Sequence, residues 1–288
     1  MDDVPALFYE AVCSSRVGLS LISECRELSG LYGRVADDVF DNAAFHMVKL
    51  RNGHFRDGGY LSHFNSAIGN VVKFNNVTRK HDWYTSVTVS ADGAEYSIDP
   101  AELEELSAVT KGKRVALHLK TSNMSKELEK WIGSIQFCIL INVAANLKIP
   151  DALIQKKKLI ILEFTGDDQI SDEATNQLLQ LLKQEQFCQT FIPDISESNL
   201  KKLIAEWRKN ASEMAGKSVW CKNEVTLDEE LGFRSCTEED ERHFDVICAR
   251  FKGLRRNASI FLLKNNNEAG LYCLRVPNGA YKSQFVFA

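Results

Sequence analysis

The stretch that decides the fold begins at Lys158-Leu159-Ile160-Ile161-Leu162-Glu163-Phe164 and ends at Val225. Its first seven residues predict a strand, and apolar residues at helical spacing follow. The pattern then repeats, with helices predicted over 171–183 and 196–210 and strands over 187–192 and 217–222. The strand centres are about 30 residues apart, the length of one unit in a leucine-rich repeat or βαβ array. One unit cannot cover its own apolar face, so consecutive units must stack and share a core.

The segments around this repeat complete an α/β protein. Downstream, an antiparallel meander is predicted over 259–263, 271–276 and 284–287. Upstream, residues 125–147 predict one long helix, buried on more than one side because its apolar residues spread beyond a single face. Asp99-Pro100-Ala101-Glu102 predicts a helix start, with Asp99 as the cap and Glu102 reaching back to it.

Residues 45–98 predict short strands and turns. Asn52-Gly53 is typical of a hairpin turn, and Asp92-Gly93 predicts a second hairpin between Thr85–Ser90 and residues 94–98. The polar stretch from Arg56 to Asp82 predicts a loop. The short polar connections indicate no domain break except near residue 44, so we expect a helical segment at 1–43 and an α/β body at 44–288.

Composition and charge exclude several classes of partner. The chain has 288 residues and a net charge of −4, which argues against broad binding of nucleic acid or of an anionic membrane. The longest apolar run, residues 139–145, is far shorter than the ~20 residues of a membrane span. The acidic opening Met1-Asp2-Asp3 does not resemble a secretory signal, so we expect a cytoplasmic or nuclear protein.

No catalytic motif is present. The sequence contains no phosphate-binding glycine loop, no H-E-x-x-H and no G-x-S-x-G, so we predict no catalytic residue, no cofactor and no metal site. The eight cysteines are interpreted as small buried hydrophobic residues in a reducing compartment. Four residues are candidate zinc ligands: Cys221, Cys236, His243 and Cys248. The sequence leaves open whether their side chains lie close together in the fold.

The first 43 residues predict three short helices with apolar stripes. Val4-Pro5 followed by Phe8 and Val12, with Leu28-Ser29-Gly30-Leu31-Tyr32-Gly33 further on, resembles the start of a large nematode-expanded family of F-box-like proteins. The resemblance implies that Val4-Pro5 stands for the family's Leu-Pro pair and that Tyr32 lies near its usual tryptophan. It also implies a set of contacts with a Skp-type adaptor of a cullin ubiquitin ligase: Val4, Pro5, Phe8, Val12, Leu19, Ile22, Leu28, Leu31 and Tyr32.

The resemblance implies a substrate-recognition subunit without catalysis of its own, whose body binds an unidentified protein substrate. Two alternatives to this function remain: an α/β interaction module unrelated to ubiquitin, and a hydrolase-like enzyme with an unrecognised site. The enzyme alternative predicts a pocket with convergent polar groups at the carboxyl ends of the strands in the 160s and 190s.

Overall fold

The fold is described from a computed structural model of the chain. It describes residues 30–62, 73–74, 81–91, 98–121, 125–145, 147–227, 231–247, 258–265, 269–276 and 279–288. These residues form a mixed α/β protein, as predicted, in two compact units, Met1–Ile139 and Leu140–Ala288. The domain boundary expected after residue 43 stays a prediction, and the helices expected before Gly30 lie outside the described residues.

The described part of the first unit combines a mixed sheet with three helices. The elements are α1 Gly30–Asn42, β1 Ala43–Arg51, β2 His54–Ser62, β3 Lys73–Phe74, β4 His81–Ser90, α2 Pro100–Thr110, β5 Arg114–Lys120 and α3 Lys126–Ser134. The strands lie in the order β3-β2-β1-β4-β5. Strand β2 pairs antiparallel with both β3 and β1, whereas β4 pairs in parallel with both β1 and β5.

The turn between β1 and β2 is the hairpin predicted from Asn52-Gly53. Both residues have positive φ, 51° and 82°, as a two-residue hairpin turn requires. The predicted loop over 56–82 is wrong at both ends, because β2 continues to Ser62 and β4 begins at His81. Gly58, which favoured a loop, lies in β2 at a bulge, where an added Cβ would lie 2.7 Å from the Met47 carbonyl oxygen.

The second predicted hairpin is wrong. Thr85–Ser90 pairs in parallel with β1 on one edge and with β5 on the other, so both of its edges are already occupied. Of its predicted partner, residues 94–97 lie outside the described residues. The sequence pattern identified a strand correctly but not its neighbour, because pairing is set by the whole sheet and not by the nearest turn signal.

The long helix predicted over 125–147 is wrong in its second half. Helix α3 ends at Ser134, and β6 spans Phe137–Ala144. The stretch after Ile135 is apolar on every side, a pattern that fits a buried helix and a buried strand equally well. Its aromatic and β-branched residues favour the strand.

The second unit contains β6 from Leu140 onward and the alternating strands and helices predicted between residues 158 and 225. Its further elements are α4 Asp151–Gln155, β7 Ile161–Thr165, α5 Asp172–Leu182, β8 Gln189–Ile192, α6 Glu197–Lys209, α7 Ala211–Met214, β9 Ser218–Cys221, β10 Arg234–Ser235, α8 Glu238–Ile247, β11 Ser259–Lys264, β12 Gly270–Arg275 and β13 Ser283–Phe287. The strands lie in the order β6-β7-β8-β9-β13-β12-β11-β10. The first four pair in parallel, and β9 pairs antiparallel with the predicted C-terminal meander.

Helix caps and periodicity place β7 to β9 and the helices between them where the sequence predicts them, whereas β6, the first strand of the parallel array, was predicted as helix. Ser171 and Ser196 cap α5 and α6, each accepting a hydrogen bond from the backbone N–H three residues on, at 3.1 and 3.2 Å. The four parallel strands begin at Phe137, Ile161, Gln189 and Ser218, steps of 24, 28 and 29 residues. Because strand–helix–strand connections in one sheet are right-handed, these helices lie on the same face of the array.

The two faces of the array are buried to different degrees. Leu162, Ile192 and Val219 are fully buried, and they share a core with helical residues such as Leu178 and Trp207. Most of their neighbours along the strands point to the opposite face and are only half-buried, although Ser218 is buried. We call this opposite face the open face; its half-buried residues are Leu140, Asn142, Ala144, Ile161, Glu163, Gln189, Phe191 and Trp220.

Helix α8 packs on the same side of the sheet as the open face, but over the antiparallel strands. Phe244 of α8 is fully buried, and its ring centroid lies 4.9 Å from that of Tyr272. The cluster around them contains Ile260, Leu262, Leu274 and Val286, with Trp220 at its margin. The open face is therefore the part of this side that lies beyond α8.

None of the helices within the described ranges is long and apolar enough to span a membrane.

Candidate functional site

Most of the residues predicted to contact a Skp-type adaptor cannot be placed. Seven of the nine lie outside the described residues: Val4, Pro5, Phe8, Val12, Leu19, Ile22 and Leu28. Leu31 and Tyr32 lie in the first turn of α1, and both are half-buried. Gly30 is the first residue of α1, and Gly33 lies inside it. The adaptor contacts stay a prediction.

The four residues weighed as zinc ligands do not come together as a set. Cys221 is completely buried on the helix-covered face, in cross-strand register with Ser283, and burial raises the pKa of its thiol. Cys236 packs against the cluster under α8, on the opposite side of the sheet. His243 is exposed, and Cys248 lies outside the described residues. Within those ranges no group of three or more His, Cys, Asp or Glu side chains is arranged to hold a metal ion.

The open face carries a row of cross-strand neighbours with a distinct chemistry. Asn142 on β6 is in register with Glu163 on β7, Glu163 with Phe191 on β8, and Phe191 with Trp220 on β9. Directly paired residues project to the same side of a sheet, so the row runs from two polar side chains to two aromatic ones. It continues to Gln284 on β13, which α8 and its neighbours leave only 1% exposed.

A third aromatic ring joins the row from the loop before β13. Tyr281 lies with its ring centroid 5.0 Å from Phe191 and 6.1 Å from Trp220, and the Phe191 and Trp220 centroids are 5.6 Å apart. The rings are tilted or edge-on, the geometries that aromatic pairs favour. We call these three residues the aromatic trio. All three are half-buried, so they present apolar surface that is not consumed by packing.

A cavity of about 330 Å³ opens beside the trio at the carboxyl ends of β7 and β8, where the enzyme alternative placed a pocket. The β7 end contributes Glu163, Phe164, Thr165 and Gly166, and the neighbouring ends contribute Ile192, Pro193 and Lys222. The loop before β13 contributes Ala280 and Tyr281. Clefts at the carboxyl ends of parallel strands are common ligand sites in α/β proteins, because the loops that leave the strands diverge there.

The two charged groups of the cavity differ in how they are compensated. The Lys222 ammonium lies 2.5 Å from the Asp167 carboxylate on the rim, and this contact lowers the pKa of Asp167. The half-buried Glu163 carboxylate, by contrast, has neither a hydrogen bond nor an ion pair with any described residue. Burial, and then the nearby Glu163 charge, raises the pKa of the Tyr281 hydroxyl, so Tyr281 stays neutral. The uncompensated charge of the cavity is therefore negative.

Sequence reasoning placed a pocket at these strand ends but missed the residues that meet there, for a topological reason. Glu163 reads as the polar residue of an alternating strand, and Tyr281 lies in a polar turn more than a hundred residues later. They meet because β13 inserts beside β9 at the end of the parallel array. The alternation of Leu162, Glu163 and Phe164 was the available signal, since it places one carboxylate on the face opposite the apolar residues.

Three comparisons with known proteins identify no relative: the chain matches no family model, no curated protein and no solved structure.

Proposed function

We propose that this chain is a protein–protein interaction adaptor and that it serves as the substrate-recognition subunit of a cullin-type ubiquitin ligase. In this proposal residues 1–43 bind a Skp-type adaptor, and the open face binds the protein to be ubiquitinated. The supporting observation is the row Glu163–Phe191–Trp220 with Tyr281 beside it, half-buried on a face that the helices of the array do not cover. Aromatic residues with a polar rim are the composition of protein-binding surfaces.

We further propose that β6 to β9 form a leucine-rich-repeat-like array. Steps of 24 to 29 residues agree with the repeat lengths of that class, and its strands line the binding face while its helices lie on the other side. The polar residues Asn142, Glu163 and Gln189 on the open face fit a surface that meets water between binding events.

The assignment to a ubiquitin ligase rests on the resemblance of the N-terminal segment, and a binding experiment tests it. The intact chain is mixed with a purified Skp-type adaptor and the complex is measured by pull-down and by calorimetry. We expect wild type to bind, and Phe8→Asp and Val12→Asp to lose binding at least about tenfold, because each places a charge in an apolar contact. Glu163→Gln, in the body, is the matched control and is expected to bind like wild type.

The outcomes separate the two interaction functions. Absent binding by wild type, or binding that neither aspartate substitution changes, contradicts the ligase role. An interaction module unrelated to ubiquitin would show that result and still bind a partner through the aromatic trio, because the trio lies in a unit that does not contain the N-terminal segment. Circular dichroism of both variants establishes that the substitutions leave the fold intact.

A further inference from the structure

We infer that the cavity beside the aromatic trio binds a positively charged side chain, arginine or lysine, of the partner protein. This inference rests on the proposal that the open face binds a protein, and it specifies the chemistry of that partner. The cavity has the volume for one long side chain, about 330 Å³, and its lining includes Glu163 of the row and Tyr281 of the aromatic trio. A single side chain inserted beside a larger contact is a common anchor in protein interfaces.

The charge of the cavity favours a cation over an anion. Lys222 is the one cationic residue among the described lining residues, and its ammonium is already paired with Asp167 at 2.5 Å. Glu163 has no such partner in the described part of the chain, although it is half-buried beside apolar rings. A carboxylate that is partly removed from water gains most from a cation that reaches it, because the local dielectric is lower than that of the solvent.

The aromatic trio adds a second attraction of the same sign. The centroids of its rings are 5.0 to 6.1 Å apart, and Tyr281 and Glu163 both line the cavity. A guanidinium or ammonium that pairs with Glu163 therefore lies close to the face or edge of Tyr281, and the Phe191 ring, in register with Glu163 and packed against Tyr281, is placed to contact the stem of the side chain. Cation–π attraction and apolar contact with the stem then act together with the ion pair.

The charges around the rim of the cavity also favour the binding of a cation. The loops that leave β7 and β8 carry Asp167, Asp168 and Asp194, and of these Asp167 is paired with Lys222. Asp194 accepts hydrogen bonds from the Gln169 side chain and from the Ile195 backbone N–H, which leave its charge uncompensated. Lys282, the residue after Tyr281, is an exposed cation. The summed charge of these groups is negative, so a cationic side chain is attracted before it makes contact.

Peptide binding to the intact chain tests the inference. The probe is a library of short peptides with one central arginine or lysine and varied flanking residues, and the matched library carries citrulline or glutamine at that position. We expect wild type to enrich the cationic peptides. We expect the best of them to bind Glu163→Gln about tenfold more weakly, with affinity falling as salt is added. Glu173→Gln, an exposed acid on α5, is the matched control and should bind like wild type.

Two results would overturn the inference: equal recovery of the cationic and neutral libraries by wild type, or unchanged affinity of the cationic peptides for Glu163→Gln. Phe191→Ala provides a second arm, because removing a ring of the trio should weaken the same peptides without altering any charge. All of these variants should retain wild-type binding to the Skp-type adaptor. Loss of peptide selectivity is thereby distinguished from failure of the adaptor role.

Discussion

The Asp240 carboxylate stabilises the start of α8, the helix at the edge of the open face. Replacing Asp240 with asparagine should therefore destabilise that helix. Its carboxylate accepts hydrogen bonds from both terminal nitrogens of Arg234, at 2.6 and 3.0 Å. It also accepts from the backbone N–H and the hydroxyl of Thr237, at 2.9 and 2.8 Å. Thr237 in turn accepts from the Asp240 backbone N–H, so the two residues form a capping box at the start of α8.

The expected loss of stability follows from these contacts. A helix cap contributes about 1 kcal/mol, and hydrogen bonds to a charged group contribute about 1.5–3 kcal/mol each. Arg234 is 46% exposed, so solvent screens its share of the ion pair. Asparagine also keeps one acceptor oxygen. We therefore expect Asp240→Asn to lower the free energy of unfolding by about 2 kcal/mol, well below the sum of the separate contributions.

The pH dependence gives this prediction a signature. The Arg234 guanidinium, assisted by Thr237 and opposed by burial, holds the pKa of Asp240 well below its ordinary value. An unfolded aspartate takes up its proton near pH 4, about 3.9, whereas the folded one resists protonation to lower pH. The stabilisation is therefore complete above about pH 5 and is lost progressively as the pH falls through 4 towards the pKa of the folded carboxyl.

Urea titrations of wild type, Asp240→Asn and the control Glu239→Gln, repeated from neutral to acidic pH, test the reasoning. Glu239 is exposed in the same helical turn, so its substitution should change stability little. The difference between wild type and Asp240→Asn should be constant down to about pH 5 and should shrink below pH 4. A difference that persists unchanged into acid, or an Asp240→Asn variant as stable as Glu239→Gln, would refute it.

Two buried glutamines give opposite predictions. Gln177 donates to the Ile149 carbonyl at 2.8 Å and accepts from the Ile149 N–H at 2.9 Å, so Gln177→Leu leaves both backbone groups unpaired. It should cost about 2–4 kcal/mol of unfolding free energy in urea, whereas the exposed Gln180→Leu should cost little. Gln284 is 1% exposed, and neither the nitrogen nor the oxygen of its amide has a hydrogen-bond partner among the residues that the structure describes. Gln284→Met should therefore raise the melting temperature; a clear decrease would mean that the amide contributes stability as it stands.

The strands β7 to β9 and the helices between them were predictable because each of their signals is local. Ser171 and Ser196 mark helix starts, apolar residues at helical spacing follow them, and short β-branched runs lie between. These features are written in adjacent residues, so no knowledge of the partner strand is needed. The mixed class and the bounds of these elements therefore agree closely with the structure.

The errors lie where the decision is non-local. Residues 137–144 are apolar enough for a buried helix, and only the sheet they enter makes them a strand. Thr85–Ser90 has the composition of a hairpin strand, yet parallel neighbours from distant segments occupy both of its edges. Glu102, expected to reach back to its helix cap, instead accepts a hydrogen bond from the Phe55 backbone N–H at 2.6 Å. In each case long-range pairing decided between locally equivalent alternatives.

The alternation of polar and apolar residues in β6 and β7 explains why one face of the sheet is open. Parallel sheets are usually covered by helices on both sides, and their strands are then apolar at every position. Here β7 alternates buried Leu162 and Phe164 with half-buried Glu163, and β6 places Asn142 beside that carboxylate. If helices covered both faces of this strand, the unpaired Glu163 carboxylate would be buried at a cost of several kcal/mol, roughly the penalty for desolvating one charge. The presence of Glu163 therefore indicates a face that contacts either water or a partner of opposite charge.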